Sequence, residues 1–176
     1  LFDNINGILV PGGFGARGIE GKIISSKYAR ENNIPFLGIC LGMQMSIIEI
    51  GRNVLRLKDC HSTEFKINSK NPLIGLMTEW TKNNKLEKRN IKSNKGGTMR
   101  LGRYPCVIKK DSLAHKIYSK NNISERHRHR YEVNTNYLKK LKNSNFLISG
   151  MSPDNKLPEI IESTTHPWFL GVQFHP

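Results

Sequence analysis

The chain has 176 residues, 37% of them hydrophobic, which predicts one soluble globular domain with a sizeable core. It has no apolar run long enough to cross a bilayer and no recognisable signal peptide, so we expect neither a membrane protein nor a secreted one. Its three cysteines lack the paired spacing of metal ligands and argue against a disulfide framework. We therefore expect a cytoplasmic protein.

The formal charge of +14 suggests an anionic partner, either a nucleotide or a nucleic acid. Much of this charge lies in two Lys/Asn-rich segments, residues 81–95 and 134–145, which are poor in aromatic side chains. Such segments are more typical of solvated loops and helix faces than of a platform on which bases stack. We expect no nucleic-acid partner.

The chain opens with a strand at residues 6–10, followed by a glycine-rich loop at residues 11–18. Glycines allow the backbone to approach a ligand closely and to turn its N–H groups toward an anion. The loop matches neither common phosphate-binding fingerprint, so a plain flexible turn is the other interpretation.

Residues 21–32 predict a helix with Ile24 and Tyr28 on its inner face, and residues 34–40 predict a second, almost wholly apolar strand. A strand–helix–strand–helix order indicates a βαβα unit. We predict one α/β domain over residues 1–176, with three layers: a mostly parallel, flavodoxin-like central sheet and helices on both faces.

Cys40 lies between Gly38 and Gly42, where the second strand meets an apolar-periodic segment. A cysteine held by small residues at a strand-to-helix turn is typical of a nucleophile elbow, and a helix N-terminus is expected to lower the pKa of its thiol. A buried structural cysteine is the alternative, and it is the more common case for an isolated cysteine.

The middle of the chain is less regular. Glu64 belongs to a polar cluster and could be a surface carboxylate or a substrate contact; its spacing alone favours the surface. Residues 81–94 predict a charged, mobile loop. The glycines of residues 96–102 indicate a hinge that carries a lid, or else a hairpin turn.

Residues 125–134 contain alternating arginines and histidines. In an extended chain, Arg126, Arg128 and Arg130 would share one face, and His127, His129 and Tyr131 the other. The pattern fits a nucleic-acid arm, a histidine pair that binds metal, or guanidiniums that bind small anions. The metal interpretation is the weakest because two histidines do not complete a site.

Residues 169–174 predict a strand that delivers His175 to its C-terminal end. In a parallel sheet His175 could then face Cys40 as the base of a nucleophile–base pair. Such a base normally needs a third group to orient it.

Several motifs together resemble a known family. They are residues 11–22, 38–44, 62–65, 97–102 and 126–134, with the closing run 173–176. With them the chain resembles the class I (triad) glutamine amidotransferases and, among these, the amidotransferase domain of the CTP synthases. The resemblance covers the chain from end to end. It implies hydrolysis of glutamine through a cysteine thioester and delivery of ammonia to a synthetase domain that aminates UTP at the expense of ATP.

The resemblance also implies a role for individual residues. Cys40 would be the nucleophile and His175 the general base and acid, while the N–H groups of Gly13 and Leu41 would form the oxyanion hole. The implied contacts to glutamine are Gly13, Leu41, Gly42, Met43, Gln44, Glu64 and Arg130. No metal is implied in this domain.

The resemblance further implies GTP as an effector, with Phe14 and Arg100 as its candidate contacts. ATP and Mg²⁺ would belong to a synthetase domain of the same polypeptide, and the full-length enzyme would be a tetramer. The triad acid would fall at position 177, and a first strand and helix would precede Leu1. We therefore expect a domain that is incomplete at both ends and impaired on its own.

Two alternatives remain at this stage. The chain could be the glutaminase domain of another class I amidotransferase, or a γ-glutamyl hydrolase. It could also be a basic nucleotide-binding module in which Cys40 is structural.

Overall fold

The computed structural model describes residues 2, 4–76, 79–82, 85–88 and 99–176. Over these residues a seven-stranded sheet forms the centre of the fold. From one edge to the other its strands are β1 (Ile8–Val10), β2 (Phe36–Ile39), β12 (Phe169–Val172), β11 (Pro158–Ser163), β10 (Phe146–Met151), β7 (Arg100–Ile108) and β8 (Asn122–His129).

The sheet is mixed, so the predicted mostly parallel sheet is wrong in this respect. Strands β1, β2 and β12 pair in parallel, whereas the pairs from β12 to β8 are antiparallel. The connections 152–157 and 164–168 are too short for the crossover that parallel neighbours require. The predicted βαβα unit is confirmed: β1, the helix at Ile19–Asn32, β2 and the helix at Leu41–Glu49 follow in that order, and β1 pairs with β2 in parallel.

Helices lie on both faces of the sheet, which confirms the three-layer α/β class. The main helices are α1 (Ile19–Asn32) and α2 (Leu41–Glu49), followed by a π-helical turn at Ile50–Val54. Two short helices, α3 (Leu113–Tyr118) and α4 (Leu138–Lys142), and a 3₁₀ turn at Thr135–Tyr137 come later.

Side chains that alternate along the inner strands separate two hydrophobic clusters. Phe36 and Phe169 stack with their ring centroids 4.4 Å apart in the cluster beneath α1 and α2. Leu37 and Leu170 point the other way, toward Ala114 of α3. The sheet is therefore covered on both faces, as its apolar strands predicted.

The helix predicted at residues 21–32 begins two residues earlier, and its predicted inner face is wrong at one position. Ile24 is 55% exposed, whereas Ile23, Ser26 and Ala29 are buried. The inward face combines two isoleucines with small residues, Ser26 and Ala29, which a search for large apolar side chains does not detect. Asn33 ends the helix in the left-handed region, with φ of 55°.

A smaller three-stranded sheet and a hairpin complete the described structure. The small sheet contains β3 (Cys60–Ser62), β4 (Asn71–Leu76) and β9 (Tyr131–Val133). Strands β5 (Glu79–Lys82) and β6 (Lys85–Lys88) pair as an antiparallel hairpin, so the loop predicted over residues 81–94 is wrong in this part. Residues 89–98, with much of the predicted lid, lie outside the described residues. Nowhere in the described structure is a helix long and apolar enough to span a membrane.

Candidate active site

Cys40 occupies a sharp turn between β2 and α2, as the glycines around it predicted. Its φ of 52° is unusual for a residue with a side chain, and such strain is characteristic of functional turns. A Cβ on Gly38 would lie 2.8 Å from the carbonyl carbon of Gly42, and a Cβ on Gly42 would lie 2.0 Å from the carbonyl oxygen of Val10. Only glycine fits at either position, so the elbow depends on both.

Adjacent parallel strands bring Cys40 and His175 together. The N–H of Cys40 donates to the carbonyl oxygen of Val172 at 2.7 Å, which aligns the ends of β2 and β12. A Cβ on Gly12 would lie 2.9 Å from Cε1 of His175 and 3.5 Å from Cβ of Cys40, so both side chains pack against the same glycine. The N–H of His175 donates to the carbonyl oxygen of Arg126 at 2.8 Å, which anchors the histidine to β8.

The expected activation of Cys40 by the helix N-terminus is not what the resting site shows. Burial raises the pKa of the Cys40 thiol to about 11; the backbone of Leu41 opposes this, and the carboxylates of Glu132 and Glu64 add to it. Burial, followed by the charges of Arg126 and Arg128, lowers the pKa of His175. The pair therefore rests as a neutral thiol and a neutral imidazole, which suits a base that takes the thiol proton during reaction.

Beside Cys40 is a cavity of about 340 Å³ that most of the predicted glutamine contacts line. Gly42 and Met43 are buried behind it: Gly42 packs against Val10, and Met43 is fully buried against Gly171. The complete lining is Gly13, Phe14, Gly15, Cys40, Leu41, Gln44, Glu64, His129, Arg130 and Tyr131.

Glu64 is part of this lining, so its spacing-based placement on the surface is wrong. Its carboxylate accepts a hydrogen bond from the N–H of Gly15 at 3.3 Å, which ties the small sheet to the glycine-rich loop. Arg130 lines the same cavity from the turn between β8 and β9. The cavity therefore combines a thiol, a carboxylate and a guanidinium.

Gln173 lies in the closing motif, but its sequence position alone predicted no role for it. Its Oε1 accepts from Nε2 of Gln44 at 3.1 Å, and its Nε2 lies 3.8 Å from Sγ of Cys40. The signal for it was its position two residues before His175. Where an extended chain continues past β12 beside Cys40, that spacing places both side chains on the same face.

Arg100, a predicted GTP contact, is 6% exposed and lies in a buried ion cluster. Its guanidinium donates to Glu132 at 3.0 Å and to Glu159 at 2.8 Å. Phe14, the other predicted contact, is 62% exposed, and the guanidinium carbon of Arg128 lies 5.9 Å from the centroid of its ring. Arg128 is therefore an exposed cation beside the Phe14 ring.

The predicted alternation is confirmed for residues 126–129 and is wrong for Arg130 and Tyr131, because β8 ends at His129 and both residues line the cavity together with that histidine. Arg126 and Arg128 are exposed, whereas His127 and His129 are buried and join through Nδ1 of the first and Nε2 of the second at 2.8 Å. Burial lowers the pKa of His127 to about 2 and that of His129 to about 3. Over the described residues, no group of three or more His, Cys, Asp or Glu side chains could hold a metal ion.

Comparison with known proteins places this site in context. Residues 1–176 match the family described as Glutamine amidotransferase class-I. The chain is 54% identical to CTP synthase of Agrobacterium fabrum over 174 residues and 57% identical to CTP synthase of Rhodopseudomonas palustris strain BisA53 over 177 residues. These alignments cover 99% and 100% of this chain but 32% of each relative, so the chain spans about a third of their length.

A solved structure agrees with the sequence relatives. The glutaminase domain of Trypanosoma brucei CTPS with bound acivicin superposes with a TM-score of 0.86 at 40% identity, covering 98% of this chain and 64% of that one. A glutamine amidotransferase from Thermotoga maritima shares the fold, with a TM-score of 0.53 at 15% identity, covering 95% of this chain and 55% of that one.

Proposed function

The chain belongs to the class-I glutamine amidotransferase family, and from this premise we propose that it hydrolyses glutamine to glutamate and ammonia through a thioester on Cys40. The observation that carries the proposal is the cavity in which Cys40, Glu64 and Arg130 converge. A buried thiol alone would fit a structural cysteine, but a thiol that faces a carboxylate and a guanidinium fits an amino-acid substrate.

The cavity offers complementary groups for both ends of glutamine. Glu64 binds the α-ammonium, and Arg130 binds the α-carboxylate through a planar guanidinium that can make paired hydrogen bonds. The side-chain amide then extends toward Cys40. A cavity of about 340 Å³ lies at the small end of the usual range for ligand sites, as a single amino acid requires.

The reaction proceeds in two steps. Sγ of Cys40 attacks the amide carbon as His175 takes the thiol proton; the C–N bond breaks, and ammonia leaves with that proton. Water then attacks the thioester and gives a proton to His175, which returns it to the sulfur as glutamate departs. The N–H groups of Gly13 and Leu41 stabilise the oxyanion in each step, and losing one such donor typically costs about 2.7–4 kcal/mol of barrier.

We place this activity in a CTP synthase, where the ammonia serves the ATP-dependent amination of UTP to CTP. The relatives named CTP synthase, at 54% and 57% identity over essentially the whole chain, support this placement. The synthetase domain of the same polypeptide would hold ATP and Mg²⁺, and no residue of this chain is assigned to them. We propose a tetramer in the cytoplasm for the full-length enzyme.

GTP is the proposed effector, and Phe14 with Arg128 is its best-supported contact. An exposed aromatic ring offers a stacking surface for a base, and a neighbouring guanidinium offers a partner for phosphate. Arg100 is less suited to this role because its donors already bind two buried carboxylates.

The proposal is tested with Cys40→Ser in the full-length protein. We expect glutamine-dependent CTP formation to be lost. CTP formation from added ammonium should be retained, because free ammonia can replace the ammonia that glutamine hydrolysis supplies to the synthetase reaction. A glutamine-analogue electrophile should label the wild-type protein at Cys40 and leave Cys40→Ser unlabelled. Glutamine hydrolysis without CTP formation from UTP would instead favour another amidotransferase or a γ-glutamyl hydrolase. Equal labelling of both proteins would overturn the assignment of Cys40.

A further inference from the structure

Gln173 connects the nucleophile to the wall of the cavity. Its side chain is fully buried, and its amide joins Gln44 on one side and Sγ of Cys40 on the other. The backbone N–H of Gln173 donates to the carbonyl oxygen of Glu159 at 2.8 Å, so the sheet fixes its Cα beside the elbow.

The contacts around Gln44 determine which end of the Gln173 amide faces the sulfur. Nε2 of Gln44 donates to the carbonyl oxygen of Tyr131 at 2.9 Å, and a carbonyl oxygen can only accept. The same nitrogen lies 3.1 Å from Gln173, so the Gln173 atom it meets must be the oxygen. The amide nitrogen of Gln173 is therefore directed at Sγ of Cys40.

This hydrogen bond favours a negative charge on Sγ of Cys40, which the surroundings otherwise disfavour. The thiol is 3% exposed, and the carboxylates of Glu132 and Glu64 both oppose a negative sulfur. A directed N–H donor favours the charged form of an acid over its neutral form. Gln173 acts in this direction and lowers the pKa of Cys40 against the larger effect of burial.

We propose that Gln173 is a catalytic residue that stabilises the Cys40 thiolate, oriented for this role by Gln44 and the Tyr131 carbonyl; its use in turnover rests on the proposed function. The donor acts on the sulfur at two moments: when the thiol gives its proton to His175, and when the thioester collapses and releases the sulfur as an anion. Gln173 and Gln44 thereby connect Sγ of Cys40 to the first residue of β9, Tyr131, through a chain of hydrogen bonds.

The test is the rate at which iodoacetamide alkylates Cys40 between pH 6 and 10, measured by mass spectrometry of the Cys40 peptide. Only the thiolate displaces iodide, forming the S–C bond as the C–I bond breaks, so the rate follows the thiolate fraction. Gln173→Leu keeps a similar volume without the donor. We expect it to lower the rate at pH 8 about three- to tenfold and to move the profile to higher pH, since a tenfold loss of thiolate is one pKa unit.

Two further variants separate hydrogen bonding from packing. Gln173→Glu keeps the shape and an acceptor for Gln44 but turns a carboxylate oxygen toward the sulfur, so its rate should fall below that of Gln173→Leu. Gln44→Leu removes the donor that orients Gln173, and it should slow alkylation less than Gln173→Leu. Ser46→Ala is the matched control: this buried hydroxyl of α2 donates to the carbonyl oxygen of Met43, and we expect the wild-type rate.

Cys60 and Cys106 report on folding in the same digest. Both are buried, and burial raises the pKa of each thiol to about 12, so fast labelling of either marks an unfolded variant. Wild-type alkylation of Cys40 at every pH in folded Gln173→Leu and Gln173→Glu would overturn the proposal. If Gln173→Leu unfolds, the alkylation rates of folded Gln173→Glu and Gln44→Leu test the proposal instead, and wild-type rates at every pH in both would overturn it. The alkylation assay contains no glutamine, so its result does not depend on glutamine hydrolysis. Failure of the protein to hydrolyse glutamine would overturn the proposed function but not the effect of Gln173 on Cys40.

Discussion

A Cβ on Gly42 would lie 2.0 Å from the carbonyl oxygen of Val10, so the first turn of α2 touches the backbone of β1. This contact fixes the height of the helix above the sheet and, with it, the position of Cys40 at the helix start. The elbow is therefore held by the neighbouring strand as well as by its own turn.

We expect Gly42→Ala to destabilise the fold by more than about 3 kcal/mol, because the clash is with a backbone atom that cannot rotate away. Denaturant unfolding measures the change. Gly21→Ala is the matched control: it lies in α1 with nothing within 4 Å of a Cβ, and alanine there should be neutral or stabilising by up to about 1 kcal/mol. Equal stability of the two variants would contradict the close approach.

Arg100→Met should cost about 3–5 kcal/mol near neutral pH, because it leaves Glu132 and Glu159 buried without their cation. Arg103→Met, at an exposed position of the same strand, should change the free energy of unfolding by less than about 0.5 kcal/mol. Denaturant unfolding of both variants checks this, and similar losses would contradict the buried cluster.

The same cluster predicts a pH dependence. Burial raises the pKa of both Glu132 and Glu159 above the ordinary value of 4.5, and the charge of Arg100 only partly opposes this rise. The folded state thus binds more protons than the unfolded chain, and the stability that these groups contribute is full below about pH 4.5 and lost as pH rises through their raised pKa values. Arg100→Met should therefore be least destabilising near pH 5; a loss of stability that does not vary with pH would contradict this account.

Glu64→Gln and Arg130→Met should raise the KM for glutamine at least about tenfold, because each removes a charge that we propose binds the amino-acid backbone of the substrate. Steady-state kinetics of the full-length protein measures the effect, and CTP formation from ammonium should persist in both. Normal KM values would contradict the proposed orientation of glutamine in the cavity.

Arg128→Ala should raise the GTP concentration for half-maximal activation about tenfold, because it removes the guanidinium that we propose binds a GTP phosphate. Arg103→Ala, which removes an exposed arginine from the neighbouring strand, is the matched control and should leave that concentration within about twofold. If the two variants shift GTP activation equally, the effect is one of general charge, and the contact at Phe14 is wrong.

Local features of the sequence determined the elbow, the exposed and buried faces of β8, and the presence of helices on both sides of an apolar sheet. Gly38 and Gly42 flank a cysteine, and no larger residue could make that turn. Arginines and histidines that alternate over residues 126–129 can only separate onto two faces if the chain is extended. These properties depend on neighbours in the chain, so they can be predicted without the fold.

Tertiary structure decided the rest. The antiparallel half of the sheet, the burial of Arg100 between two carboxylates and the presence of Glu64 in the cavity depend on contacts between distant segments. The Gln173 amide is the clearest case, because Gln44, 129 positions away in the sequence, determines which of its atoms meets Cys40. Hydrogen-bond direction at a buried site depends on which partners can donate and accept, and only the folded chain brings those partners together.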